Sequence, residues 1–269
     1  MVDIHQHLLF DLDDGPKDIE TSVAMARASV ASGVTHVVCT PHASGQFDFD
    51  PAANQGRIAA LQARLAAERI PLTLGLGCDF HLSYDNIQDA KADPARFSIN
   101  GLGYLLVEIP DFGVPRGLTE TFYELQVAGL MPILTHPERN PTLQAHRERL
   151  IEWMRAGVLL QITGDSVTGK MGKPAQKMAH ELLAKRWVHF LATDAHNTTH
   201  RPPRLDEARE VVARKYGRDY AESLVEANPR AVFEGRAFDP QAEPIGLYDD
   251  YKPKNWFQRV FGSSSEEGV

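Results

Sequence analysis

The sequence predicts an α/β protein built as a (β/α)7 barrel. Seven short apolar runs alternate strictly with amphipathic helical stretches, and six of the seven end in histidine or carboxylate. The chain of 269 residues is also long enough to bury one large core. Strands joined by helices repeat a single handed unit, and seven such units favour a closed or nearly closed barrel over an open sheet.

Residues 2 to 8 read as the first strand. Side chains two apart share a face, so His5 and His7 point the same way while Val2, Ile4, Leu8 and Leu9 supply packing. After a loop containing Asp11, Asp13, Asp14 and Gly15, Asp18 caps a helix whose Ile19, Val23, Ala26 and Val30 recur on one face, and Gly33 stops it. The second strand, 35 to 40, ends at Pro41, which lacks the N–H a ladder needs and leaves His42 just beyond. Asp50 and Pro51 open a helix running to about residue 69. The third strand, 72 to 79, ends in Asp79, and residues 84 to 101 read as polar and irregular. The fourth strand, 104 to 107, leads to Glu108, and a helix over 118 to 128 precedes the fifth, 131 to 135, which leads to His136. A helix over 143 to 155, a sixth strand over 158 to 162 and a helix over 174 to 185 follow. The seventh strand, 188 to 193, runs into Asp194-Ala195-His196, and helices over 205 to 216 and 218 to 227 close a domain assigned to residues 1 to 238. Residues 239 to 269 read as a partly flexible tail. Its aromatic segment, Trp256 to Phe261, suits either its own domain or a partner.

Composition narrows the function. With 43% hydrophobic and 24% charged residues, the chain is ordinary globular material, and its net charge of -8 argues against a grip on nucleic acid or an anionic membrane, which requires a basic stripe. No apolar run approaches the roughly 18 residues of a spanning helix. Candidate ligands begin at residue 5, so no cleavable leader is expected and a cytoplasmic location is. Cys39 and Cys78 sit inside apolar runs, as buried reduced thiols do. Neither starts a C-x5-R phosphate loop, because Gly45 and Tyr84 occupy the arginine positions, and no Walker motif is present.

The strand ends and the loop after the first strand supply nine candidate metal ligands: His5, His7, Asp14, His42, Asp79, Glu108, His136, Asp194 and His196. A single catalytic zinc takes three or four protein ligands, so the set suits two or three divalent ions with a carboxylate between them. Mixed imidazole and carboxylate shells accept Mn, Fe, Zn or Co. Paired ions clamp the attacking and leaving oxygens of phosphoryl transfer, so hydrolysis of a phosphate ester by ionised water attacking phosphorus in line is the expected chemistry. Arg139 and Arg201 are the candidate phosphate-binding groups, because a guanidinium fork matches phosphate oxygens, and His196 or Asp14 is the candidate for proton assistance. His36 and His189 fall within strands and read as packing residues, whereas His146, His180 and His200 read as surface residues.

The residues Asp3-Ile4-His5-Gln6-His7, Asp13-Asp14-Gly15, Thr40-Pro41-His42, Glu108, His136-Pro137-Glu138-Arg139 and Asp194-Ala195-His196-Asn197 together resemble the polymerase and histidinol phosphatase (PHP) superfamily. Within it the chain is similar to the bacterial manganese-dependent protein-tyrosine phosphatases of capsule and exopolysaccharide loci. The likeness runs to about residue 236, through Arg201-Pro202-Pro203 and Asn228-Pro229. The resemblance implies a distorted, TIM-like seven-stranded barrel, a trinuclear centre, and removal of phosphate from tyrosines of a partner bacterial tyrosine kinase. It leaves a homo-oligomer open. It further implies that His5 and His7 hold one ion, that His42, Glu108 and His136 form the other side, that Asp194 bridges, and that Asp14 and His196 serve a third ion. One departure stands out: Asp79 occupies a position where the family usually has glutamate, so either the ions shift or His81 compensates. A small-molecule phosphoesterase acting on histidinol phosphate or a nucleotide, an amidohydrolase, and a non-catalytic metal-binding scaffold are the competing readings. The Asp13-to-Pro16 loop and the Arg-Pro-Pro turn favour the tyrosine phosphatases, Glu108 replaces the lysine an amidohydrolase has on strand four, and the intact ligand set argues against a scaffold.

Overall fold

Pro41 and Gly77 interrupt two of the seven expected strands. The structure, a computed structural model, describes residues 1–110, 113–238 and 243–249. Among these are nine short strands: β1 (Val2–Gln6), β2 (His36–Cys39), β3 (His42–Ala43), β4 (Thr73–Leu76), β5 (Asp79–His81), β6 (Tyr104–Glu108), β7 (Met131–Thr135), β8 (Leu159–Thr163) and β9 (Phe190–Ala192). The fold is mixed α/β, with two parallel sheets ordered β1-β2-β4 and β3-β5-β6-β7-β8-β9.

Pro41 has no N–H to donate, yet its carbonyl accepts from the Asp79 amide at 3.1 Å, and Gly77 donates to the Cys39 carbonyl at 2.9 Å. His36 pairs with Thr73 and His42 with Asp79 at the same offset, so β2–β3 and β4–β5 are one bent pair without slippage. At the other side, His7 donates to the Ala195 carbonyl at 2.9 Å and Asp194 donates to the His5 carbonyl at 2.8 Å, tying the chain after β9 to β1.

The turn Ile99–Gly101 touches both β4 and β6. Asn100 adopts a left-handed backbone (φ 53), accepts from the Leu76 amide at 3.0 Å and donates to the Phe233 carbonyl at 2.8 Å. Gly75 lies against it, where a Cβ would sit 2.5 Å from Asn100 Oδ1. Asn100→Ala removes both bonds and the side chain suited to that backbone. Urea unfolding is expected to show a loss of about 2 kcal/mol.

The helical caps behave as their residues dictate. Asp18 accepts from the Thr21 amide ahead of α1 (Ile19–Ala31), and Asp50 accepts from the Ala52 and Ala53 amides ahead of α2 (Pro51–Ala67), which buries Ile58, Leu61 and Leu65. Residues 84 to 101 are not irregular as expected. They form α3 (Tyr84–Ala92), capped by Ser83, then α4 (Pro94–Phe97) and the turn at Asn100, with too few buried apolar residues for a periodic signal. Beyond α5 (Leu118–Val127), the single helix expected over 143 to 155 is two, α6 (Pro141–Ala145) and α7 (Glu148–Arg155), because His146 leaves the helical region. Next come α8 (Gly164–Thr168), α9 (Lys173–Ala184), α10 (Asp206–Tyr216) and α11 (Arg218–Glu222). The last expected helix continues past residue 227 through a π turn, Ser223–Ala227, into α12 (Asn228–Phe233).

A small apolar cluster including Ile4, Val38, Leu106, Ile133, Phe190 and Ala192 lies below the ligand-bearing strand ends, and a larger one joins strands to helices. Cys39 and Cys78 are buried and free. No helix among the described residues is long and apolar enough to cross a membrane. Residues 243–249 pack back on the domain: Ile245 donates to the Lys185 carbonyl at 2.8 Å, Trp187 Nε1 donates to the Ile245 carbonyl at 3.0 Å, and Leu247 is buried. The segment Trp256 to Phe261 lies outside the described residues.

Candidate metal centre

All nine candidate ligands converge. Asp194 Oδ1 lies 3.4 Å from His5 Nε2 and 3.6 Å from His7 Nε2. Asp79 Oδ2 lies 3.6 Å from His5 Nε2 and 3.3 Å from His42 Nδ1, so the shorter side chain still reaches between the two imidazoles. Asp14 Oδ1 is 3.5 Å from His42 Nε2 and 3.2 Å from His196 Nε2. Glu108 Oε1 is 3.4 Å from His136 Nε2, and Oε2 pairs with His81, which adds a tenth donor.

These residues form four groups: His7, Asp14, His42 and His196; His42, Asp79, His81 and Glu108; His5, Asp79 and His136; and His5, His7 and Asp194. Within each group the donor atoms lie within 4.8 Å of one another. His5, His7, His42 and Asp79 each belong to two groups, so the four are chained into a closed ring. His136 thus stands with His5 and Asp79 as well as beside Glu108.

Hydrogen bonds behind the rings aim them. His5 Nδ1 donates to Gln161 Oε1 (2.9 Å), His7 Nδ1 to Asp13 Oδ2 (2.7 Å) and His196 Nδ1 to the Asp194 carbonyl (3.0 Å), leaving each Nε2 lone pair facing the pocket. His5 Nε2, His7 Nε2 and Asp79 Oδ1 are buried and make no hydrogen bond to any described residue. Buried lone pairs gathered in this way fit divalent cations, and the mixed nitrogen and oxygen set matches a transition-metal centre. His136 (φ 33) and Asp194 (φ 51) both hold left-handed backbones just past β7 and β9, a strained conformation found at sites where a turn must deliver a side chain.

Charge divides the histidines. Burial pulls the His5 pKa down, but Asp194 and Asp79 push it up to about 9; burial likewise opposes His42, which Asp14 and Asp79 push up to about 11. His7 falls to about 4 through burial and the nearby His196, and His136 to about 3 through burial and Arg139. Burial works against ionisation of Asp194, yet His5 and Arg201 hold its carboxyl far below the usual range. Burial and the neighbouring Asp79 raise Glu108. The raised pair is protonated at pH 7 in chelated protein, whereas a cation needs neutral imidazole. Metal uptake at pH 7 is therefore expected to expel about two protons, from His5 and His42, and affinity is expected to rise with pH through about 9, where His5 loses its proton, and on towards about 11 for His42. Calorimetry in buffers of differing ionisation enthalpy counts those protons; finding none would contradict the assignment.

Arg139 and Arg201 both pair with Asp194 Oδ2, the oxygen turned away from the imidazoles. Glu138, the sequence neighbour of Arg139, is buried instead and accepts from the Thr163 amide at 3.0 Å and Ser166 Oγ at 2.7 Å. The pocket between them holds about 310 Å³ and is lined by Asp14, His42, Asp79, His81, Glu108, His136, Asp194, His196, both arginines, and Ser44, Gln46 and Phe47. His189 packs in place, its Nδ1 accepting from the Leu160 amide; His146 and His200 are exposed, and His180 bonds Tyr216.

Reasoning from strand ends missed Asp13, Gln161 and Phe47. Gln161 was visible as one amide inside an apolar strand, and Asp13 as the first acid of the Asp-Asp-Gly loop; Phe47 carried no signal. Gln161→Ala or Asp13→Ala is expected to weaken metal retention by about 10- to 100-fold, measured by competition with a chelator, without altering the fold.

Residues 1–234 match the family model described as capsular polysaccharide synthesis, CpsB/CapC. The chain is 34% identical over 246 residues to the tyrosine-protein phosphatase YwqE of Bacillus subtilis, covering 91% of this chain and 96% of that protein. It is 31% identical over 244 residues to the tyrosine-protein phosphatase CpsB of Streptococcus pneumoniae, covering 86% and 98%. A crystal structure from work on YwqE and CpsB, named there as metal-dependent tyrosine phosphatases, matches with a TM-score of 0.84 at 31% identity, covering 91% of this chain and 99% of that one. A phosphotriesterase homology protein from Escherichia coli shares the fold alone, with a TM-score of 0.59 at 12% identity over 86% of this chain and 98% of its own. With every candidate ligand inside the matched span, the chain belongs to the CpsB/CapC family of capsular polysaccharide synthesis.

Proposed function

We propose that this chain is a metal-dependent phosphatase that hydrolyses phosphotyrosine on proteins, its substrate a bacterial tyrosine kinase that controls exopolysaccharide or capsule synthesis in the cytoplasm. The observation that carries this reading is the closed ring of imidazoles and carboxylates beneath two arginines, in a family whose relatives are tyrosine-protein phosphatases. Two or three ions suit the ring, manganese first, with iron, zinc or cobalt as substitutes. On the same reading, residues 1–238 are one distorted (β/α)7 barrel, with β2–β3 and β4–β5 each counted as one strand, and residues 239–269 are an appended tail.

His5, His7, Asp194, Asp79, His42, His136, Glu108, Asp14 and His196 hold the ions. Dications there supply Lewis acidity to phosphoryl oxygens and a water acidic enough to ionise near neutral pH. Arg139 and Arg201 grip the remaining phosphoryl oxygens by charge-assisted bonds and neutralise the charge that builds in transfer. Asp14 sits at the mouth, and His196 and His42 hold its carboxyl far below the usual range, so it accepts and orients rather than donating a proton. A phenolate, with a conjugate pKa near 10, leaves with little such help.

Manganese-loaded protein assayed on a phosphotyrosine peptide, histidinol phosphate and a nucleoside monophosphate tests this reading. The peptide is expected to be hydrolysed fastest. Faster hydrolysis of either small molecule would move the function to small-molecule phosphoesters, and no release from protein with full metal content would leave a scaffold.

A further inference from the structure

The pocket is charged on nearly every side but one, where Phe47 supplies its single phenyl ring. That ring lies offset over the His42 imidazole, centroids 5.7 Å apart and planes 17° from parallel. A tight turn holds it there: Ser44 donates to the Phe47 carbonyl at 3.0 Å, Phe47 donates back to the Ser44 carbonyl at 3.2 Å, and Ser44 Oγ accepts from the Gln46 and Phe47 amides at 3.3 Å. Two residues on, Phe49 does what an apolar ring ordinarily does. It is buried in the core and stacks on Phe97 at 5.6 Å. Phe47 is half-buried and belongs to neither apolar cluster of the molecule, so core packing does not account for it.

We infer that Phe47 is the wall against which the aryl group of the substrate lies, and that it sets a preference of this pocket for aryl over alkyl phosphates. The inference deepens the phosphatase reading of the same pocket and rests on it. A phosphate gripped between the metal ligands and the two arginines has its ester substituent directed to the mouth, and the His42 and Phe47 rings form one side of that exit. Offset aromatic pairs gain more than their buried area alone provides, so an aryl substituent is held there better than an alkyl one. Specificity is the difference between those two affinities, and a charged ring of ligands that grips every phosphate alike does not supply it.

Calorimetry with phenylphosphonate and methylphosphonate on manganese-loaded wild type, Phe47→Leu and Phe47→Trp tests the wall without turnover. Metal content and melting temperature are recorded for each variant. Phe47→Leu is expected to weaken phenylphosphonate about 3- to 10-fold while methylphosphonate changes less than about twofold, and Phe47→Trp is expected to restore the preference. An equal loss for both phosphonates, or loss of metal in both variants, would show that Phe47 only braces His42 and would overturn the inference. So would no loss at all. Release of phosphate from phenyl phosphate by wild type is scored separately: its absence, with the phosphonate preference intact, sinks the phosphatase reading and leaves the wall standing.

Discussion

Alanine in place of Asp79 is expected to empty much of the metal centre and to lower phosphate release from an aryl phosphate by about a thousandfold or more. Asp79 belongs to two of the four ligand groups, and one of its oxygens faces His5 and His42 on opposite sides. Its removal therefore opens two groups with one change. It also removes a carboxylate charge that both imidazoles feel, which alters their proton binding together with their metal binding. Asp79→Glu keeps the charge on a chain one methylene longer, and it is expected to retain metal with at most a modest change in rate. Elemental analysis of the purified variants, with anomalous scattering to count ions, decides between these outcomes. A full complement of metal in the alanine variant would remove Asp79 from the centre.

Loss of either arginine is expected to act differently. Arg139→Ala and Arg201→Ala should each lower kcat by about a hundredfold while leaving metal content unchanged, and the double variant should lose more. Both guanidiniums pair with the outer oxygen of Asp194, and its inner oxygen continues to face His5 and His7 without them. Lysine at either position restores charge but not the planar fork, so partial recovery is expected. An arginine whose removal leaves kcat unaltered has no part in gripping phosphate, and one whose removal drains the metal acts through Asp194 instead.

The strand ends were legible because a parallel strand–helix alternation delivers its C-terminal ends to one place, and ligand-type residues stand out there. His5, His42, Glu108, His136 and Asp194 all follow from that rule. Caps with a local chemical cause were legible too, as at Asp18 and Asp50. What escaped had no periodic signature. The α3–α4 stretch buries only Ala90 and Phe97, and the break at His146 lies inside a run of good helix formers. In the site, Asp13 and Gln161 act on the far nitrogen of a histidine, a role that becomes visible only once the ring orientation is known. Phe47 carries no signal of its own, since nothing in a sequence separates a ring that faces a pocket from Phe49, which faces the core.

The bend shared by β2–β3 and β4–β5 carries a consequence for how this chain can evolve. Because pairing resumes after the bend at an unchanged offset, one extra residue between Cys39 and His42, or between Leu76 and Asp79, would swing a ligand to the opposite face of its strand. Those two stretches are locked in length. Insertions that distinguish functioning members of the lineage should accordingly spare the two bends.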